Sequence, residues 1–257
     1  MDSVQIDKLF AQTLAGNYDD HSAWEAVSAL QRLRSHEVCS RAIEWCSSDQ
    51  PLKRARGADV LGQLGNTMES SLVEFSEERF SVIASLTQCE KDPLPLCSAL
   101  CALGHIRNPR AVPLIKEHHA NSNPEVRLAV AMALGSFANE SVSVETLLIL
   151  MQDRDGNVRD WATFGLGTSC RLDSDQIRAA LFHQLTDSDA DVRGEALVGL
   201  AKRHDNRVLP ALIHELEQTE VSDHAFEAAE TLLDDSLNDS DRNPKEYIEA
   251  IKYHFSL

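Results

Sequence analysis

A thirteen-residue pattern, clearest as DGNVRDWATFGLG at 155–167, returns in degraded form along most of the chain. Anchored on the Leu near its end, the copies fall at Leu30, Leu61, Leu103, Leu134, Leu166, Leu200 and Leu232, with spacings of 31, 42, 31, 32, 34 and 32 residues. A period of this length is the mark of a repeat array, in which each unit buries its apolar face only against its neighbours. Five of the six intervals are nearly equal, and the long one predicts an insertion over 66–78.

The pattern reads Asp or Asn, two residues, Val-Arg, two variable residues, then small or apolar residues up to Leu-Gly. It is best kept at Val126-Arg127, Val158-Arg159 and Val192-Arg193. Asn123, Asp155 and Asp189 stand three residues before each Val, where a short polar side chain caps the first free N–H groups of a helix. Ala131, Ala133, Ala162, Gly165, Ala196 and Gly199 then recur at three- and four-residue steps, the spacing of one helix face packed closely on its neighbours. Amphipathic segments at 36–47, 71–88, 110–120, 142–152, 174–186 and 207–218 precede these helices. Together they predict seven helical hairpins.

Local signals set further boundaries. Ser22 and Glu25 have the spacing of a capping box. The second copy, DQPLKRARGADVLGQLG, has lost its Val, and the third carries Pro95-Leu96 where Val-Arg would stand, so its helix is expected to begin there. Pro113 and Pro210 should shorten or kink their helices. The organisation expected is one solenoid over 1–257: a capping helix in 1–20, repeats over 20–235, and a linker and capping helix over 236–257, with the last helix near 245–255.

The Val-Arg pairs, their capping residues, the Leu-Gly ends and ALVGLAKR at 196–203 resemble the HEAT repeats of the phycobilisome-lyase-like kind found in bacterial proteins of unassigned activity. The resemblance covers about residues 20–235. It implies an all-α fold, a right-handed α-α superhelix whose second helices line a concave surface. It further implies a ladder of Asp and Arg side chains between repeats, for which the candidates are Asp155, Arg159, Asp189, Arg193 and Arg127.

Positions between Val-Arg and the small residues are free to face that surface: Trp24 and Glu25, Arg56 and Asp59, Cys97, Ser98 and Cys101, Leu128 and Met132, Asp160, Trp161 and Phe164, Glu195, and Phe226, Glu227 and Glu230. Trp161 has two readings, an interface anchor or a residue packed between helices; core packing is the better reading of Phe164. With 24 Lys and Arg against 41 Asp and Glu, the formal charge is −17. Such a surface repels a nucleic acid. It suits a basic protein partner or serves solubility alone.

The function expected is a non-catalytic scaffold for a protein or peptide partner, with no cofactor and no metal. Among enzymes on related repeats, deoxyhypusine hydroxylase needs His-Glu pairs converging from facing helices, whereas His36-Glu37 and His214-Glu215 both fall in first-helix segments. His214 also lacks the second His of a zinc HExxH helix. The alternative is an accessory subunit of a bilin lyase-like enzyme, although Cys97 and Cys101 lack a neighbouring cation that would lower a thiol pKa and read better as buried small residues. A nucleic-acid-binding HEAT protein is a further alternative, opposed by the charge. No basic leader, no 18-residue apolar run and no CxxC pair among six cysteines predict a cytoplasmic protein with reduced thiols and no membrane span. The sequence leaves the oligomeric state open, with a monomer slightly favoured.

Overall fold

A computed structural model of the chain describes residues 3–65, 76–233 and 242–257. Within them lie fifteen α-helices and no strand. The helices form two compact units, Met1–Phe137 and Ala138–Leu257. The first holds four hairpins: α1 (Ser3–Gln12) with α2 (His21–Arg32), α3 (His36–Cys46) with α4 (Pro51–Gln63), α5 (Ser76–Cys89) with α6 (Pro93–Ile106), and α7 (Ala111–Lys116) with α8 (Pro124–Gly135). In the second, α9 (Ser141–Leu150) pairs with α10 (Gly156–Phe164), α11 (Asp175–Gln184) with α12 (Ala190–Ala201), and α13 (Leu209–Leu216) with α14 (Asp223–Leu232). The last helix, α15 (Pro244–Phe255), packs on α13 and α14. The seven hairpins expected from the period are therefore all present. Of the 66–78 insertion, residues 66–75 lie outside the described residues, as do residues 234–241 of the C-terminal linker.

The second helices stack side by side, α2 on α4, α4 on α6 and α6 on α8 in the first unit, α10 on α12 and α12 on α14 in the second. Small residues set the spacing. A Cβ on Gly104 would lie 2.9 Å from Ala133 Cα, and one on Gly199 would lie 2.7 Å from Gly167 Cα. The anchoring leucines Leu30, Leu61, Leu103, Leu134, Leu166, Leu200 and Leu232 are all buried, as are Val126, Val158 and Val192.

The capping residues act as the pattern requires. Asn123 accepts from Glu125 N, Asp155 from Asn157 N and Val158 N, and Asp189 from Asp191 N. Two boundaries differ from expectation. Ser22 and Glu25 do not form a capping box: α2 starts two residues earlier than that box requires, at His21 after the N-cap Asp20, and Glu25 instead faces His21 in an exposed pair at 3.3 Å. The Asp20 carboxylate turns back to accept Asn17 N at 2.9 Å. Helix α6 begins at Pro93, two residues before Pro95, with Asp92 accepting Leu94 N. Pro95 is tolerated because the first four N–H groups of a helix have no intrahelical acceptor to lose. Pro113 lies in a six-residue helix, and Pro210 stands in the first turn of α13 after a 3-10 turn over Asn206–Val208.

Arginines complete the framework. The Nη1 of Arg54, Arg127, Arg159 and Arg193 each donates to the carbonyl six residues earlier, at 2.8 to 2.9 Å. Arg159 also grips Asp187 through Nε and Nη2, both at 2.7 Å, and Arg54 grips Glu90 at 2.6 and 3.0 Å. Arg193 reaches Glu215 at 3.4 Å. The inter-repeat carboxylate of Arg159 is thus Asp187, two residues before Asp189, because Asp155 and Asp189 are already occupied as helix caps. Arg54 belongs to this set although its copy of the pattern lost the Val.

After Phe164 the backbone continues as a π-helical segment, Gly165–Ser169. Buried Arg203 gathers the carbonyls near its end, donating to Leu166 O at 2.7 Å, Gly167 O at 2.9 Å, Cys170 O at 3.2 Å and Leu172 O at 3.1 Å. No helix of the described residues is long and apolar enough to cross a membrane.

Candidate binding faces of the second helices

In the first unit, the variable positions of α2, α4, α6 and α8 converge on one pocket of about 420 Å³. Trp24, Asp59, Cys97, Ser98, Cys101, Leu128 and Met132, all singled out by the repeat pattern, line it. Its polar floor is a closed network. The Tyr18 hydroxyl lies 3.1 and 3.0 Å from the two Asp59 carboxylate oxygens and 2.9 Å from Ser98 Oγ.

Arg56 is wholly buried behind this floor. Its Nη1 is 3.3 Å from Asp59, its Nε donates to Thr13 O at 2.9 Å, and its Nη2 donates to Tyr18 O at 2.6 Å. The guanidinium also lies 4.3 Å from the Tyr18 ring centroid and 4.9 Å from that of Trp24. A cation spent in this way organises the pocket from within. Burial pushes the Asp59 carboxyl up to about 6, while hydrogen bonds from Ser98 and Tyr18 and the charge of Arg56 pull it down. The Arg56 guanidinium at 3.3 Å and the Tyr18 hydroxyl on both carboxylate oxygens favour the charged form of Asp59 against the effect of burial.

The thiols in this pocket are unreactive by their surroundings. Burial raises Cys97 to about 11 and Cys101 to about 12. Neither carries the thiolate that attack on a ligand would need. Among the described residues no group of His, Cys, Asp and Glu is arranged to hold a metal ion.

In the second unit, α10 carries Asp160, Trp161 and Phe164, and α12 beside it carries Glu195. Trp161 is 38 % exposed, and its ring meets that of Phe164 edge-on at 5.6 Å. Phe164 is half-buried. Burial pushes Asp160 up to about 6, and the nearby carboxylates of Glu195, Asp191 and Asp189 add to that shift. Its Oδ1 is buried with no hydrogen-bond partner among the described residues. Glu195 lies 3.2 Å from His224 Nε2 and raises the affinity of that imidazole for a proton.

Other positions are committed to packing or pairing. Phe226 is buried, 5.6 Å from the Tyr247 ring of α15, and Glu230 accepts from the Tyr247 hydroxyl at 3.1 Å. Glu227 is exposed and pairs with Lys202 at 3.0 Å. The repeat pattern missed Tyr18 and His224. Tyr18 lies before the first copy of the pattern, so no period points to it. His224 has a faint signal: Gly194 stands where the other copies carry Asp160, Leu128 or Cys97, and a Cβ there would lie 2.6 Å from His224 Nδ1.

Comparison with known proteins agrees with this architecture. The family model for HEAT repeats matches residues 81–167 and 144–233. Protein YibA of Escherichia coli K12 is 29 % identical over 242 residues, spanning 91 % of this chain and 84 % of YibA. The X-ray structure of that protein superposes with a TM-score of 0.72 at 26 % identity, covering 98 % of this chain and 93 % of YibA. The CpcE–CpcF complex of phycocyanin lyase from Nostoc sp. PCC7120 matches with a TM-score of 0.52 at 15 % identity, over 98 % of this chain and 96 % of that one. Kap95p, solved in a study of its binding to RanGDP, matches with a TM-score of 0.58 at 14 % identity, over 98 % of this chain and 38 % of its own. These last two likenesses concern the fold alone.

Proposed function

The chain belongs to the HEAT-repeat family, and we propose that it is a non-catalytic scaffold that binds a basic protein segment through its second helices. The observation that carries this reading is Trp161, a large aromatic left 38 % exposed and braced by Phe164. A braced aromatic loses little side-chain freedom on binding, which makes it an effective interface anchor. Asp160 and Glu195 add negative charge beside it, and the chain as a whole carries −17. A cationic segment with an apolar residue meets both features.

Peptide arrays graded in charge and hydrophobicity, read out by titration, test the proposal. Basic peptides with one large apolar residue should bind the parent, and Trp161→Ala should weaken them about tenfold or more. Equal binding of acidic and basic peptides, or full retention of affinity in a folded Trp161→Ala variant, would sink it.

A further inference from the structure

We propose that the pocket between α2, α4, α6 and α8 is a socket for one lysine or arginine side chain, resting on the reading that the partner is basic. Its chemistry is split. Trp24, Leu128, Met132 and the two protonated thiols give walls suited to an aliphatic stem. Exposed Asp19 and Glu125 also line it, and Asp59 forms its floor.

No lysine or arginine lines the pocket. Its one histidine, His105, is held neutral by burial and by the charge of Arg107. Arg56 answers the charge of Asp59, and Tyr18 and Ser98 close the floor, so the negative charge the pocket offers a ligand is that of exposed Asp19 and Glu125, which would repel an anion and which a wholly apolar ligand would leave unanswered. An ammonium or guanidinium on a methylene stem satisfies both halves, as long cationic side chains do when the stem packs and the charged tip stays near polar groups. A pocket of about 420 Å³ holds one such side chain with room for water.

Titration of isotope-labelled full-length protein with the amides of Nα-acetyl-lysine, Nα-acetyl-arginine and Nα-acetyl-norleucine tests this, with the Trp24 indole and Met132 methyl resonances as reporters. The cationic probes should give saturable shifts at both reporters and bind about two- to fivefold more tightly than norleucine amide. Comparison of the two cationic probes tells which tip fits better. Asp19→Asn with Glu125→Gln, both at exposed positions, should remove that preference without altering the rest of the spectrum. Equal binding of norleucine amide, or shifts at neither reporter, overturns the socket. The scaffold reading fails separately. A peptide that responds to Trp161→Ala but not to Asp19→Asn with Glu125→Gln leaves the scaffold standing and removes the socket.

Discussion

Asp160 is a half-buried carboxylate facing Glu195, Asp191 and Asp189, and its folded pKa of about 6 lies above the value near 3.9 for an unfolded chain. Between those values the folded state binds the extra proton, so stability from this group is complete below about pH 4 and is lost as pH rises through about 6. Asp160→Asn should therefore stabilise the protein by about 1–2 kcal/mol at about pH 8, after allowance for solvent screening, and by almost nothing near pH 4. Asp205 has the opposite sign. The Arg207 guanidinium holds its carboxyl down at about 2, against the push of burial, with help from Arg207 N–H and Arg178. Its contribution is present above about pH 4 and fades as pH falls toward 2. Asp205→Asn should cost about 1–2 kcal/mol at neutral pH and little in strong acid. Urea denaturation across the pH range reads both effects, and equal changes at every pH would contradict them. The sequence pointed to Asp160 only as a variable position. Its shifted proton affinity arises first from burial and then from carboxylates 29 to 35 residues away, a juxtaposition that α12 creates and no local pattern encodes.

At the scale of helices, close packing and the arginine framework carry the repeat. Adding a methyl at Gly199 would bring it 2.7 Å from Gly167 Cα and 3.1 Å from Leu181, whereas one at Gly167 meets nothing nearer than 3.2 Å. Gly199→Ala should destabilise by about 1–3 kcal/mol despite the better helix propensity of alanine, and more than Gly167→Ala. Arg159→Ala removes two hydrogen bonds to Asp187, whose side chain is 9 % exposed, and the bond to Asp153 O, at a cost of about 2–4 kcal/mol. Thermal unfolding ranks the three variants, and an unchanged Arg159→Ala would remove the framework role. Most of this scale was legible beforehand, since the Val-Arg pair, the caps and the small residues each have a mechanism tied to a fixed position. The partner of Arg159 was not. Asp187 and Asp189 are both acidic and two residues apart, and only the loop geometry decides which one caps a helix and which one meets the arginine. The π-helical segment was equally hidden, because its support comes from Arg203, more than thirty residues downstream.

For the chain as a whole, the charge of −17 acts on folding and on binding with opposite dependence on salt. Like charges on a folded surface repel one another more than on an expanded chain, so the excess acidity opposes compaction. Salt shortens the reach of that repulsion to about 8 Å at physiological ionic strength and about 3 Å at 1 M. Stability measured by urea should therefore rise as sodium chloride is added, since favourable pairs that are bidentate and largely buried, such as Arg159 with Asp187, are screened much less than the exposed like charges. Association with the basic partner proposed above would depend on the same field through attraction, and its on-rate should fall over that range while the dissociation rate changes little. Stopped-flow binding and urea unfolding in matched buffers test the two directions together. If salt lowered stability, the acidic excess would be compensated within the fold; if the on-rate ignored salt, the charge would serve solubility and the partner would be recognised without it.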